Sequence, residues 1–197
     1  MNEKISFQGG NLKNLLLLSA LLLSISLQAS TYFSASYGIA KTSSSAGFAD
    51  GIDGKAIALT LGKQTSHRFA WEASIRRTTF DSFNYSQDLG QLGSLNINSE
   101  IEALMIGGGF RYFFLRYLNL HAGLGFANVK YNATIQTSGG MFPGAGITED
   151  DSGIGIYYGL GLQFPMGPVE LLVDYTVNQF ASDVSSNEIS GGLRIRF

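Results

Sequence analysis

The amino-acid sequence predicts an all-β fold, an eight-stranded antiparallel up-and-down transmembrane β-barrel. Three observations point there. Side-chain character alternates with a period of two along eight separate segments, which is the repeat of a strand and not the 3.6-residue repeat of a helix. The connections between those segments are alternately short and long. Only 14% of the 197 residues are charged, while 45% are hydrophobic and 25 are glycine. That is too little charge for an ordinary water-facing surface, where roughly a quarter of residues are charged.

The N-terminal segment reads as an address. Lys4 and Lys13 precede an apolar run from Leu15 to Leu27, and Leu27-Gln28-Ala29 ends it with a small residue. This is the order of a secretory signal peptide. Thirteen helical residues span only about 20 Å, short of a bilayer core of about 30 Å. The expected organisation is therefore a cleaved leader over 1–29 and one barrel domain over 30–197. No later stretch has the 18 consecutive apolar residues of a membrane helix.

The alternating segments follow in order. In 32–40, Phe33, Ala35, Tyr37 and Ile39 oppose Ser34, Ser36, Gly38 and Ala40. In 57–64, Ile57, Leu59 and Leu61 oppose Thr60, Gly62 and Gln64. In 69–76, Phe69, Trp71, Ala73 and Ile75 oppose Glu72, Ser74 and Arg76. In 103–112, Leu104, Ile106, Phe110 and Tyr112 oppose Gly107, Gly109 and Arg111, with Met105 out of pattern. In 118–127, Leu118, Leu120, Ala122, Leu124 and Phe126 oppose Asn119, His121, Gly123 and Gly125. In 153–164, Ile154, Ile156, Tyr158, Leu160, Leu162 and Phe164 oppose four glycines, Tyr157 and Gln163. In 169–178, Val169, Leu171, Val173, Tyr175 and Val177 oppose Glu170, Leu172, Asp174, Thr176 and Asn178. In 188–197, Ile189, Gly191, Leu193, Ile195 and Phe197 oppose Glu188, Ser190, Gly192, Arg194 and Arg196.

Residues 64–68, 114–117 and 165–168 are expected to be tight turns, and 42–54, 81–98, 136–152 and 179–187 long loops. Short periplasmic turns and long outer loops are the layout of outer-membrane barrels.

The facing assignment follows from composition. The polar set is short of charge and full of glycine, which suits a cramped eight-stranded interior better than a solvated exterior. Inside, Arg76, Arg111, Arg194 and Arg196 balance Glu72, Glu170, Asp174 and Glu188. A lumen charge network is the expectation, because an unpaired buried charge is very costly. Aromatic residues gather near the short turns, as in an interfacial girdle.

These features make the chain resemble the small eight-stranded Gram-negative outer-membrane barrels, of the opacity type and of the outer-membrane-protein-A transmembrane type. The sharpest motif is Ser190-x-Gly192-x-x-Ile195-x-Phe197, which is similar to the terminal assembly signal of those families. The resemblance implies location in the bacterial outer membrane, contact with lipid and lipopolysaccharide, and transient partnership with the barrel assembly machinery and periplasmic chaperones.

Other functions are weighed against the same residues. Zero cysteine excludes a disulfide scaffold and a thiolate metal site. A net charge of −2 offers no basic excess for nucleic acid. No cofactor motif is present. His67 and His121 lack the serine and carboxylate neighbours that nucleophilic catalysis requires, so no enzyme is expected. The outer connections carry only acidic charge, and Glu149, Asp150 and Asp151 form a candidate cation site with lipopolysaccharide phosphates. The favoured function is a structural or surface-interaction role, adhesin-like or antigen-like, with a host or surface ligand. A narrow porin-like channel is the alternative, and a lipid A-modifying enzyme ranks below it.

Overall fold

A computed structural model describes residues 31–44, 51–88, 94–138, 145–180 and 184–197. The expected leader over 1–29 lies outside them. The strands are β1 (Thr31–Ser44), β2 (Asp53–Ser66), β3 (Phe69–Asp88), β4 (Ser94–Phe113), β5 (Leu118–Ser138), β6 (Ala145–Met166), β7 (Val169–Gln179) and β8 (Val184–Arg196). Each pairs antiparallel with the next, and β8 pairs with β1 to close the barrel. Closure leaves no free edge, as a strand structure in lipid requires. Thr31 accepts a hydrogen bond from the Phe197 amide at 3.0 Å at the seam.

The alternation maps onto two faces. Outward residues include Ile57, Ile75, Ile106, Leu124, Ile154, Leu160, Val173, Ile189 and Leu193, all exposed. Inward residues include Ser34, Thr60, Glu72, Arg111, Asn119, Asp174 and Arg194, all buried. For a chain in water this arrangement would be inverted, since burying charge while exposing aliphatic side chains is doubly unfavourable. In lipid it is the stable one.

Aromatic side chains encircle the end that carries the short turns. Phe69 meets Trp71 edge-on at 5.1 Å and stacks on Phe110 at 5.7 Å. Phe113, beside the same short turns and expected in the girdle with its neighbours Phe110, Tyr112 and Phe114, instead points inward and is buried with Tyr32 and Ala70. Its register on β4 puts it on the Arg111 side of the pleat.

Strand length is where the structure departs most from expectation. β3, β4, β5 and β6 have 20, 20, 21 and 22 residues, about twice the 9–11 that a bilayer demands. Much of 81–98 and 136–152 is therefore paired strand. Asn84 lies opposite Asn98 and Tyr85 opposite Ile97, while Asn98 also lies opposite Thr134. The residues there are polar yet carry Thr, Ile and Tyr, which favour extended backbone. A bulge sets Asp81 and Ser82 against the partner strand between the Phe80 and Phe83 pairings. The two hairpins thus rise well above the membrane on one side.

Candidate functional site

The interior has two layers. The lower one, toward the short turns, is a hydrogen-bonded charge network. Arg111 on β4 donates through Nε to Glu72 Oε1 at 2.7 Å and through Nη1 to Asn119 Oδ1 at 2.6 Å and Asp174 Oδ1 at 3.1 Å. Tyr32 donates its hydroxyl to the same Glu72 oxygen at 2.6 Å. Arg194 reaches Gln163 Oε1 at 3.0 Å and Glu170 Oε2 at 3.1 Å, and its guanidinium lies 4.3 Å over the Tyr32 ring. Arg196 holds the other Glu170 oxygen at 2.8 Å and donates to Gln64 at 2.7 Å. Every strand supplies a member, from Tyr32 on β1 and Gln64 on β2 to Arg194 on β8.

Glycine makes room for it. A Cβ on Gly62 would collide with the Tyr32 ring, and one on Gly161 with the Asp174 carboxylate. Large inward side chains therefore lie flat against bare backbone on the adjoining strands. Higher up, Gly109 and Gly123 do the same for the Tyr157 ring.

Two of the eight expected network residues stand apart. Arg76 stacks 4.3 Å from the Tyr157 ring centroid, and Glu188 accepts from Asn178 Nδ2 at 3.3 Å. Neither forms an ion pair among the described residues. His121 is buried and hydrogen-bonds the Thr176 hydroxyl at 3.0 Å. Ser190 and Gly192 of the terminal motif face inward, while Ile195 and Phe197 are exposed on the outer side.

The upper layer is mixed, with an apolar cluster beside buried Arg76, Thr78, Asn178, Ser186 and Glu188. Phe80, Ile101, Met105, Val129, Phe180 and Val184 are buried together beneath Ile52 and Tyr131. Two members of the cluster were visible in the sequence, Met105 as the residue out of pattern and Tyr157 on the inward side of 153–164. Phe80, Ile101, Phe180 and Val184 lie beside or within segments read as loops, and Val129 lies past the end of the 118–127 segment, so their facing was not assigned.

Outside, the two ends differ in charge. The outer hairpins expose Glu100, Glu149, Asp150 and Asp151. These last three are consecutive in β6, so Asp150 points away from Glu149 and Asp151. Asp150 lies opposite Lys130. No group of three metal-ligating side chains occurs among the described residues. Lower on the outer wall, Lys41 sits 3.9 Å from Asp53 and Arg77 sits 2.9 Å from Glu102. Lys41 and Lys55 edge a wall groove of about 530 Å³ with Tyr37, Ile39, Tyr175 and Ile189.

A closed eight-stranded barrel with a greasy outside and a charged inside is a membrane-spanning strand protein. The chain belongs to the family of the outer membrane protein beta-barrel domain, whose model matches residues 15–197. No curated protein matches the chain significantly. Among solved structures it is similar to Ail, the attachment invasion locus protein of Yersinia pestis, at 18% identity and TM-score 0.56, covering 86% of this chain and 99% of that one. Ail in complex with the heparin analogue sucrose octasulfate matches at 18% identity and TM-score 0.57, over 85% of this chain and 99% of that one. A major outer membrane protein from Thermus thermophilus matches at 11% identity and TM-score 0.53, over 85% of this chain and 99% of that one. These likenesses are of fold.

Proposed function

We infer that this chain is a plugged outer-membrane barrel whose raised hairpins form a surface-interaction module, adhesin-like or antigen-like. The observation that carries the reading is the two-layer interior, with a charge network spanning all eight strands below and an apolar cluster around Phe80, Met105 and Val129 above. An ion crossing such an interior would have to displace buried ion pairs and then pass the packed side chains of Phe80, Met105 and Val129, and both are expensive. With the lumen closed, the elements left to act are the β3–β4 and β5–β6 hairpins, which extend beyond what membrane crossing needs.

The exposed charge on those hairpins selects the partner. Ail is known with a sulfated ligand. Here the hairpin side chains Glu100, Glu149, Asp150 and Asp151 would repel such a polyanion and favour a basic partner surface. Nearer the membrane, the wall groove sets Lys41 and Lys55 against Asp53 and Asp81 beside an aromatic and aliphatic lining, which suits contact with lipid acyl chains more than with a phosphate. The Ser190, Gly192, Ile195 and Phe197 pattern on the closing strand suits capture by the assembly machinery through strand addition.

Two experiments test the reading. Purified protein in a planar bilayer is expected to be electrically silent, and a steady conductance sensitive to Arg194→Ala would establish the channel instead. Bacteria displaying the full chain are expected to adhere to epithelial monolayers, with adhesion lost when the β5–β6 hairpin is shortened and unaffected by added heparin. Competition by heparin would overturn the charge argument.

A further inference from the structure

The periplasmic end of the barrel holds a second candidate site. The lumen there opens into a cavity of about 470 Å³, within the size range of small-ligand sites. Three arginines line it: Arg68 in the β2–β3 turn, Arg116 in the β4–β5 turn and Arg196 at the end of β8. His67, Gln64 and Gln163 add further polar groups. The one carboxylate in the lining, Glu170, has both oxygens engaged, one by Arg194 and one by Arg196. Arg68 and Arg116 have no carboxylate within ion-pair distance among the described residues. Both side chains are exposed at the same mouth, carried there by two tight turns, and Arg116 lies 5.6 Å over the Tyr117 ring.

Gln64, Gln163, Glu170 and Arg196 of the charge network form the inner wall of this mouth. It faces the aqueous periplasm and not the lipid, because its walls are inward residues and turn residues. Phe113, Leu115 and Pro165 give it apolar patches between the cations. We propose that the periplasmic mouth binds a short peptide bearing two or more carboxylates, the chemistry of the stem peptides of the cell wall. Guanidinium forks grip carboxylates in bidentate fashion. The apolar patches accept the small aliphatic side chains between them. Such a contact would tie the barrel to the wall from below, independently of what its hairpins do above.

The test uses the full chain in nanodiscs of zwitterionic lipid, titrated calorimetrically with a soluble disaccharide-tetrapeptide from cell wall. Saturable binding is expected, weakened at least about tenfold by Arg68→Gln with Arg116→Gln, the loss of one strong charged contact. Heat-dependent gel mobility checks that the variant still forms the barrel. Should it not, the wild-type protein decides: the same muropeptide with its carboxylates amidated must fail to bind. Absence of saturable binding, equal binding of the amidated peptide, or unchanged affinity in a folded variant would overturn the proposal. So would capture of phosphatidylglycerol in place of the muropeptide when that lipid is added to the discs.

Discussion

Replacing Arg111 by methionine tests whether the lower network holds the barrel together. The Arg111 side chain is 3% exposed, and its partners Glu72 and Asp174 are 2% and 10% exposed. The substitution keeps an unbranched apolar stem but removes the guanidinium and its four hydrogen bonds, to Glu72, Asn119 and both Asp174 oxygens. Glu72 retains the Tyr32 hydroxyl and a distant Arg194 at 3.9 Å, whereas Asp174 loses its ion-pair partner outright. Breaking a buried pair from one side costs about 3–5 kcal/mol. Arg77→Met is the matched control. It removes an ion pair of nearly the same length, 2.9 Å to Glu102, but with side chains 58% and 33% exposed, so its cost is about 0–1 kcal/mol. Folding titrations in urea with lipid vesicles, read by heat-dependent gel mobility, give both numbers. Adding Glu72→Gln and Asp174→Asn to Arg111→Met is expected to recover most of the loss, because the uncompensated charges disappear. If the two arginine substitutions differ by less than about 1 kcal/mol, the interior is solvated and the pairing argument is wrong.

Other perturbations address the remaining parts of the molecule. Leu124→Lys, at an outward position 62% exposed to the surroundings midway along the lipid-facing part of β5, is expected to cost roughly 2–4 kcal/mol in the same titration. Gly161→Ala is expected to lose about 1–3 kcal/mol, because its Cβ overlaps the Asp174 carboxylate and the Asn119 amide. Gly146→Ala, with nothing within 4 Å, is expected to be neutral. Phe197→Ala, at an exposed outer position, is expected to lower the amount of barrel assembled in cells while leaving refolded protein stable, as measured by outer-membrane fractionation against folding in vitro.

Much of the fold was legible because each residue in a barrel strand answers to one of two environments. Glu72, Arg111, Asp174 and Arg194 could be placed inside from parity alone, since Trp71, Phe110, Val173 and Leu193 beside them had to face the other way. Parity also told that Gly62, Gly109 and Gly161 lie inside, though not that each one faces a particular ring or carboxylate. Three things stayed hidden. Tyr32 was unassigned, although it bonds Glu72 and underlies Arg194 and shares the parity of Ser34, because an aromatic at a strand start suits an interfacial girdle equally well. The apolar plug was hidden because Phe80, Val129 and Phe180 break the polar-inside rule that identifies the rest. The strand extensions were read as loops, since Ser, Asn and Gly are the vocabulary of turns and of water-exposed strands alike. Which residues pair across the lumen depends on the stagger of strands around the barrel. That quantity leaves no mark in any single segment.

Trp71 tests the central claim most directly. It is the sole tryptophan of the chain, it sits on the outward face of β3, and it is 58% exposed. In vesicles of brominated phospholipid its fluorescence should be strongly quenched, while aqueous iodide leaves it nearly unchanged. Quenching by iodide with indifference to the brominated chains would mean that this face meets water, and the inside-out arrangement would be refuted.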